Sequence, residues 1–443
     1  FPSLQAAWLI SSEKWFNVKG IDYLKLTGGY EMSGNDNIDY YATRTYFSNF
    51  QFLDKATGLV LANIKNPKLQ WETTKRFNIG LQASLLNNRV NLALEYFNSK
   101  TDNLLTRKSV SDVTGLSTMW SNDGALSNKG VDFNINAMLI QHKDWRWQAG
   151  FSIGHYKNEI TSLPTSNLNI IRTYALNEDG SRGAETQIHG YTSSIYGSNN
   201  VLTAVGKAAG LFYGYKTAGV FATDAEAASA GKYGYLRYPT GLSEQPSRDF
   251  RAGDVHFVDQ NGDGWINEAD MVVIGDPNPD IYGNIFTSLS WKSLKLDVNF
   301  KYSLGNDVYN YQRSQLESLN TNWNQTTAAV NRWRYEGQKT DMPRAMYTTS
   351  DQWVNNERFS DRWIEDGSYL KLKNIRLTYK IPVNLSWLLG LSVWGECNNV
   401  FTISKYTGND PEFSAGNGVL YQGIDAGYLP QSRNFTLGVT INL

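Results

Sequence analysis

Hydrophobic and polar residues alternate along much of the chain, and the alternating runs come in pairs. In FNIGLQASLLNNRVNLALEYF, Phe77, Ile79, Leu81, Ala83 and Leu85 share one face, and Asn78, Gly80, Gln82 and Ser84 share the other. After Asn87-Asn88 the pattern restarts with Val90, Leu92, Leu94 and Tyr96. Successive side chains of a strand point to opposite faces, so the run predicts a hairpin. Its strands span about 9 residues, close to the roughly 9–11 with which a tilted strand crosses a bilayer. The unit recurs. VDFNINAMLIQHKDWRWQAGFSI alternates Val131, Phe133, Ile135, Ala137 and Leu139, turns at Gln141–Asp144, and resumes with Trp145, Trp147, Ala149, Phe151 and Ile153. NIFTSLSWKSLKLDVNFKYSL turns at Lys292-Ser293, YLKLKNIRLTYKIP turns through Pro382–Gly390 into LSVWGECNNVF, and NFTLGVTINL alternates alone at the end.

The hairpin turns are short, whereas the segments between hairpins are long, polar and rich in Gly, Asn, Ser and Tyr. They run from Asn98 to Gly130, Gly154 to Gly283, Ser303 to Ser368 and Ser404 to Asn434. Short turns on one rim and long loops on the other are the arrangement of an outer-membrane β-barrel. A soluble β-sandwich alternates too, with its apolar face inward. Strand length, loop asymmetry and aromatics near strand ends (Trp71, Tyr96, Phe97, Trp145, Trp291, Tyr302, Tyr369, Tyr379, Trp387) favour the transmembrane antiparallel barrel, an all-β fold.

Composition narrows the function. The 443 residues carry a net charge of −1, so no basic field invites nucleic acid and no polybasic tail invites anionic lipid. Aromatics make up 13% and glycines number 38 against 11 prolines, a mix suited to strands and turns. One cysteine, Cys397, makes no intramolecular disulfide, and the four histidines fall in no metal-binding spacing. There is no G-x-S-x-G elbow, no P-loop, and no histidine placed beside a nucleophile, so the expectation is that the protein is not an enzyme.

DVHFVDQNGDGWINEADMVVIGD stands apart from the strand pattern. Asp259, Asn261 and Asp263 occupy positions 1, 3 and 5 of an EF-hand-like loop at 259–270, with Gly264 at the sharp turn. Trp265 offers its carbonyl at position 7, Ile266 is the apolar plug at 8, and Asp270 stands at 12 in place of the usual longer glutamate. This spacing predicts a structural calcium ion that rigidifies a floppy excursion. The plainer alternative is an ion-free Asx-rich turn. Asp254 is close enough in sequence to be drawn into the same acidic group.

Several blocks together resemble the SusC-like branch of TonB-dependent outer-membrane transporters. They are NPKLQWETTKRFNIGLQASLLNNRVNLALEYFNSKTDNLL (Asn66–Leu105), SNKGVDFNIN (Ser127–Asn136), VDQNGDGWINEADMVVIGDPNPDIYGN, RWIEDGSYLKLKNIRLTYKIP (Arg362–Pro382), NNVFTISKYTGNDPE (Asn398–Glu412) and GIDAGYLPQSRNFTLGV (Gly423–Val439). The resemblance implies the later strands of a 22-stranded barrel with a plugged lumen, over residues 1–443. Residues 154–283 would be a long extracellular excursion. It also implies a SusD-like surface lipoprotein partner, energy delivered by the TonB complex, and oligosaccharide or peptide cargo. The family's plug, TonB box and early strands have no counterpart in these residues and are expected in an N-terminal portion of the same transporter, the whole lying in outer-membrane lipid.

Within that frame, loop aromatics are candidates for cargo contact, because rings offer apolar area at low entropic cost. They are Trp120, Tyr233, Tyr235, Trp323, Trp333, Trp353 and Tyr421, each of which could equally be loop core. Lys295, Asp297, Lys301, Lys371 and Arg376, on the polar strand faces, are expected to line the lumen. A calcium-dependent surface glycan-binding or adhesion protein that moves nothing is the alternative from a different class.

Overall fold

The computed structural model describes the chain except for residues 53–55, 166–168, 178–181, 230–232, 235–248, 349–353, 384–386 and 443. Eleven strands form one antiparallel wall in which each strand pairs with its wall neighbours in chain order. They are β1 (Ser3–Leu9), β2 (Ile21–Asn35), β3 (Glu72–Leu85), β4 (Val90–Ser109), β5 (Thr118–Gln141) and β6 (Trp145–Ser162). The wall continues with β7 (Ile281–Trp291), β8 (Leu294–Leu304), β9 (Tyr369–Ile381), β10 (Gly390–Ser404) and β11 (Asn434–Asn442).

The alternation read from the sequence sorts the two faces of this wall. Register places Ile79 beside Tyr96 and Tyr96 beside Val131, all exposed, as are Phe435, Leu437, Val439 and Ile441 on β11. A row of exposed apolar side chains is what a lipid-facing surface requires. Near the short-turn rim a continuous cross-strand row runs Trp145, Trp291, Leu294, Tyr379, Val393, Val439. The rings of Trp145 and Trp291 stack with centroids 5.7 Å apart. Three of the aromatics expected at strand ends behave differently. Tyr302 and Tyr369 are buried, Tyr302 stacking on Phe151, and Phe97 lies against Gly130 on the face opposite Tyr96.

That opposite face is polar and unusually rich in glycine covered by rings. Phe97 covers Gly130, Phe286 covers Gly150, Tyr282 covers Gly154 and Trp394 covers Gly438, so that a Cβ at any of these positions would run into the ring. Such cross-strand pairs shield backbone at an otherwise bare position and let a sheet curve. Gly150→Val is expected to force the Phe286 ring off the wall at a cost of about 1–3 kcal/mol, as overpacking does. In the detergent-extracted protein this would lower the temperature at which the folded sheet loses its anomalous gel mobility. An unchanged temperature would mean that the ring merely drapes over free space.

Hairpin turns are as expected at one rim, where connections span only 10–20, 86–89, 142–144, 292–293 and 382–389. Leu86, Asn87 and Asn88 take left-handed φ values of 56°, 58° and 59°, a conformation asparagine tolerates better than most residues. At the other rim the connections span 36–71, 110–117, 163–280, 305–368 and 405–433. Two expectations need correcting here. Strands β3 to β6 are 14, 20, 24 and 18 residues long, well beyond the expected nine. Segment 98–130 is therefore mostly paired strand, with only 110–117 left to connect. Ladder hydrogen bonds continue wherever two backbones run side by side, and the Asn, Ser, Thr and Lys positions past the apolar band hide that continuation from any hydrophobic pattern.

The described residues of the long connections, expected to be floppy, instead hold the apolar core of the molecule. Segment 163–280 builds a five-stranded sheet of 169–176, 182–193, 201–204, 211–214 and 272–275. Phe212 and Val201 from it, Tyr309, Phe359 and Trp363 from 305–368, and Ala415 and Ile424 from 405–433 form one buried cluster. A second cluster joins Phe221, Phe250, Val255, Phe257 and Ile266 to Val354. Three connections from one rim thus pack into a single body.

Candidate functional site

The acidic loop is set on this body by its plug. Ile266 is buried in the second cluster against Phe257 and Phe250, as position 8 of such a loop should be. Around it the backbone is turned by its own carboxylates. Asp259 accepts from the N–H of Gly262 at 2.6 Å and of Gly264 at 2.8 Å. Asn261 accepts from Asp263 N–H at 2.8 Å, and Asp263 from Trp265 N–H at 2.8 Å. Gly264 has φ 82°, which only glycine adopts freely, so the expected turn glycine is where the spacing put it. These Asx turns are common to a calcium loop and to an ion-free turn.

Position 12 is built differently from positions 1 to 5. Asp270 is fully buried, and its carboxylate accepts from the N–H groups of Gln260, Asn261 and Asn267. Asn267 returns the bond through its own side chain, making a capping box on the single 3-10 turn Glu268–Asp270. Burial pushes the Asp270 carboxyl up to about 7 against the pull of the Asn267 N–H, and the Asp259 charge adds to the rise. A cation beside Asp259 and Asp270 would relieve both the desolvation and the repulsion. Side-chain oxygens of Asp259, Asn261 and Asp263, with the Trp265 carbonyl, are the available hard donors. Among the described residues, no three His, Cys, Asp or Glu side chains already converge closely enough to hold a metal.

Asp254 does not belong to this acidic group. Its carboxylate is fully buried and takes four hydrogen bonds: from Arg344 Nε at 2.7 Å and Nη2 at 2.9 Å, Arg251 N–H at 2.8 Å and Asn356 Nδ2 at 3.1 Å. A two-pronged guanidinium bond of this kind is strong and directional. It clamps segment 163–280 to segment 305–368. Sequence reading missed Arg344 and Asn356, which stand 90 and 102 residues from their partner. Nothing local marks them.

The cargo candidates are scattered. Trp120 sits on β5 with the Arg107 guanidinium 4.5 Å over its ring. Trp333 is fastened into the body, its Nε1 donating to the Ala222 carbonyl at 3.2 Å, and Tyr421 packs against the first core cluster. Trp323 alone of these four stands mostly exposed. Tyr233 pairs its backbone with Trp265, while Tyr235 and Trp353 lie outside the described residues. Among the described candidates, Trp120, Trp333 and Tyr421 each have different neighbours.

Of the charged residues expected on the polar wall face, Lys295 is paired to Asp297 at 2.8 Å and Arg376 to Glu396 at 3.7 Å. Lys371 is a different case. Only 3% of its side chain is exposed, and its ammonium meets Asp410 at 3.0 Å and also contacts Glu412. Glu412 further receives Lys301 at 2.6 Å and the Tyr369 hydroxyl at 2.9 Å. Burial alone would push the Glu412 carboxyl up, but the hydrogen bonds from Lys301 and Lys371 outweigh it and hold the group down at about 2.

No family model matches the chain. It is 29% identical over 453 residues to TonB-dependent receptor P3 of Formosa agariphila, covering the whole of this chain and 41% of that protein. To TonB-dependent receptor SusC of Bacteroides thetaiotaomicron it is 28% identical over 464 residues, again from end to end, covering 40% of that protein. The chain therefore spans about two fifths of the length of these curated relatives. Its fold matches the structure of the RagAB peptide transporter with a TM-score of 0.71 and 22% identity, over 99% of this chain and 43% of that one. The resemblance carried by the sequence blocks is borne out over the full chain. So are the antiparallel wall of an outer-membrane TonB-dependent barrel and, with it, the outer-membrane location.

Proposed function

We propose that this chain is the later part of the barrel of an outer-membrane active importer, working with a SusD-like surface lipoprotein and energised through TonB, with oligosaccharide or peptide as cargo. The single observation that carries the reading is the end-to-end likeness to a TonB-dependent receptor named SusC. The wall supports it, with exposed apolar residues on one face and a polar, glycine-lined face on the other. The plug, the TonB-contacting segment and the remaining strands would come from another portion of the same protein. The rim bearing 163–280, 305–368 and 405–433 would face outward, so that cargo handed over by the lipoprotein first meets an ordered body. No step here requires bond chemistry, and we assign the chain no catalytic role.

The full-length receptor, tagged at its C-terminus and extracted from outer membranes in mild detergent, is expected to bring down a surface lipoprotein. Cells carrying it should lose uptake of the cargo when TonB is deleted. Recovery of the receptor alone, soluble without detergent, would replace the importer with a surface binding protein.

A structural calcium ion in the 259–270 loop belongs to the same proposal. The successive Asx turns that orient Asp259, Asn261 and Asp263 support it. At 100 times its dissociation constant such an ion stabilises the bound state by about 2.7 kcal/mol. Chelation should expose the loop to protease, and added calcium should protect it again. Asp259→Ala should abolish the protection. If chelator, calcium and the variant all leave cleavage unchanged, the loop is an ion-free turn.

A further inference from the structure

We propose that the connection between β8 and β9 carries an oxyanion-binding cleft that accepts a carboxylate or sulfate group of the imported molecule. The cleft has a volume of about 700 Å³ and is lined by Arg313, Arg334, Lys339 and Arg362 against Glu317 and Asp341. With Arg313 paired to Glu365, three cations and two carboxylates still face one space, an excess of one positive group in a chain whose net charge is −1.

Among the described residues neither lining carboxylate forms an ion pair with these cations, and of the four only Arg313 is paired, to Glu365 outside the lining. Glu317 is buried and accepts from the Thr326 hydroxyl at 3.1 Å. Arg313 is spent on Glu365, with Nε 3.0 Å from Oε1. Arg362 has no carboxylate within ion-pair distance among the described residues. Its Nη1 donates to the Asp341 backbone carbonyl, its Nη2 reaches the Met342 sulfur at 3.1 Å, and its Nε is buried without a partner. The Arg334 guanidinium donates to the Val330 carbonyl at 2.8 Å, and its backbone N–H to Gln338 at 2.7 Å.

The two deeper arginines are also held close to each other. Arg313 donates to the Arg362 carbonyl, and the two guanidinium carbons stand 5.5 Å and 5.3 Å from the Trp363 ring. Burial, and next the Arg313 charge, hold the Arg362 guanidinium below the usual arginine range against the weaker pull of Glu317 and Asp341. Like charges gathered in a half-buried cleft repel one another and stay desolvated unless an anion joins them. A planar guanidinium presents a fork of donors that fits carboxylate and sulfate oxygens. Exposed Arg334 and Lys339 at the mouth would draw such a group in.

Assigning the oxyanion to cargo rests on the importer reading, whereas the binding capacity of the cleft does not. The test is calorimetric titration of the full-length receptor in detergent, at about 50 mM salt so that screening is weak. Glucuronate supplies the carboxylate arm, a sulfated glucose the sulfate arm, and glucose the neutral control. At least one anionic sugar should bind where glucose does not. Arg334→Gln with Lys339→Gln, both exposed and cheap to fold, should weaken it by about tenfold or more. Arg362→Gln should weaken it further. Equal binding of glucose and the anions, or an affinity untouched by the Arg334 and Lys339 pair, overturns the cleft. Variant-sensitive binding without TonB-dependent uptake overturns the importer reading and the cargo assignment, while the oxyanion cleft stands.

Discussion

Asp254→Ala in the full-length receptor should lower the temperature at which protease first cuts segment 163–280, while the wall unfolds as before. The carboxylate is fully buried and is, among the described residues, the one ion-pair partner of the Arg344 guanidinium, whose side chain is only 14% exposed. Breaking a buried pair by removing one partner strands the other charge and costs about 3–5 kcal/mol. Asn356 and the Arg251 N–H would lose their acceptor as well, adding unsatisfied donors to the stranded cation. Asp254→Asn should do almost as badly, since it keeps the shape but not the charge. Replacing both partners with apolar residues, Asp254→Leu with Arg344→Met, should recover much of the loss, because no buried charge then remains. If the single and double variants melt alike, the pair contributes through packing and not through charge. If the single variant loses less than about 1 kcal/mol, the figure for an exposed pair, the clamp is open to water.

Lys371→Met is the second large effect, and it carries a pH signature. The substitution leaves Asp410 and Glu412 facing each other with Lys301 alone to balance them. A loss of about 3–5 kcal/mol is expected on the same grounds, read as faster exchange or cleavage in 405–433. In the native receptor Glu412 ionises at about 2 when folded, against an ordinary glutamate value of 4.5. Its folded value is depressed, so its contribution is complete above about 4.5 and drains away as the pH falls toward 2. Segment 405–433 should therefore stay protected at pH 5 and loosen between 4.5 and 2. In Lys371→Met the carboxyl loses one of the two lysines that hold it down, so its folded value rises toward 4.5 and the stability lost between pH 4.5 and 2 shrinks. A pH-dependent loss of equal size in both proteins would show that Lys371 does not govern Glu412.

The wall was readable because its two environments alternate with the pleat. Each apolar residue at Phe77, Ile79 and Leu81 reports which side of the sheet it faces, and Asn87-Asn88 reports the turn. The outer ends of β4 and β5 were not readable, since Lys100, Thr101, Ser127 and Asn128 continue the backbone ladder with no apolar alternation to mark it. The core of the connections escaped for a different reason. Its members arrive on strands as short as Val201–Ala204 and Leu211–Gly214, too brief for any period to show. The acidic loop was legible down to its glycine and its plug, because ligand and turn spacings are local. Asp254 was misplaced because proximity in sequence to Asp259 said nothing of Arg344. Trp333 and Tyr421 were reasonable cargo candidates by residue type, and only packing shows that they are held by the body.

Every wall strand pairs with its neighbour in sequence, whereas the body is sewn together from segments hundreds of residues apart. The two parts therefore have very different contact orders. Hairpins such as β3–β4 and β7–β8 can form as soon as their own residues are free, each needing only a short loop to close. The body cannot: Val201 and Phe212 must wait for Ile424, which arrives just before the last wall strand. Assembly should accordingly finish at the outer rim and not in the membrane, with 163–280 the segment longest exposed to proteases and chaperones.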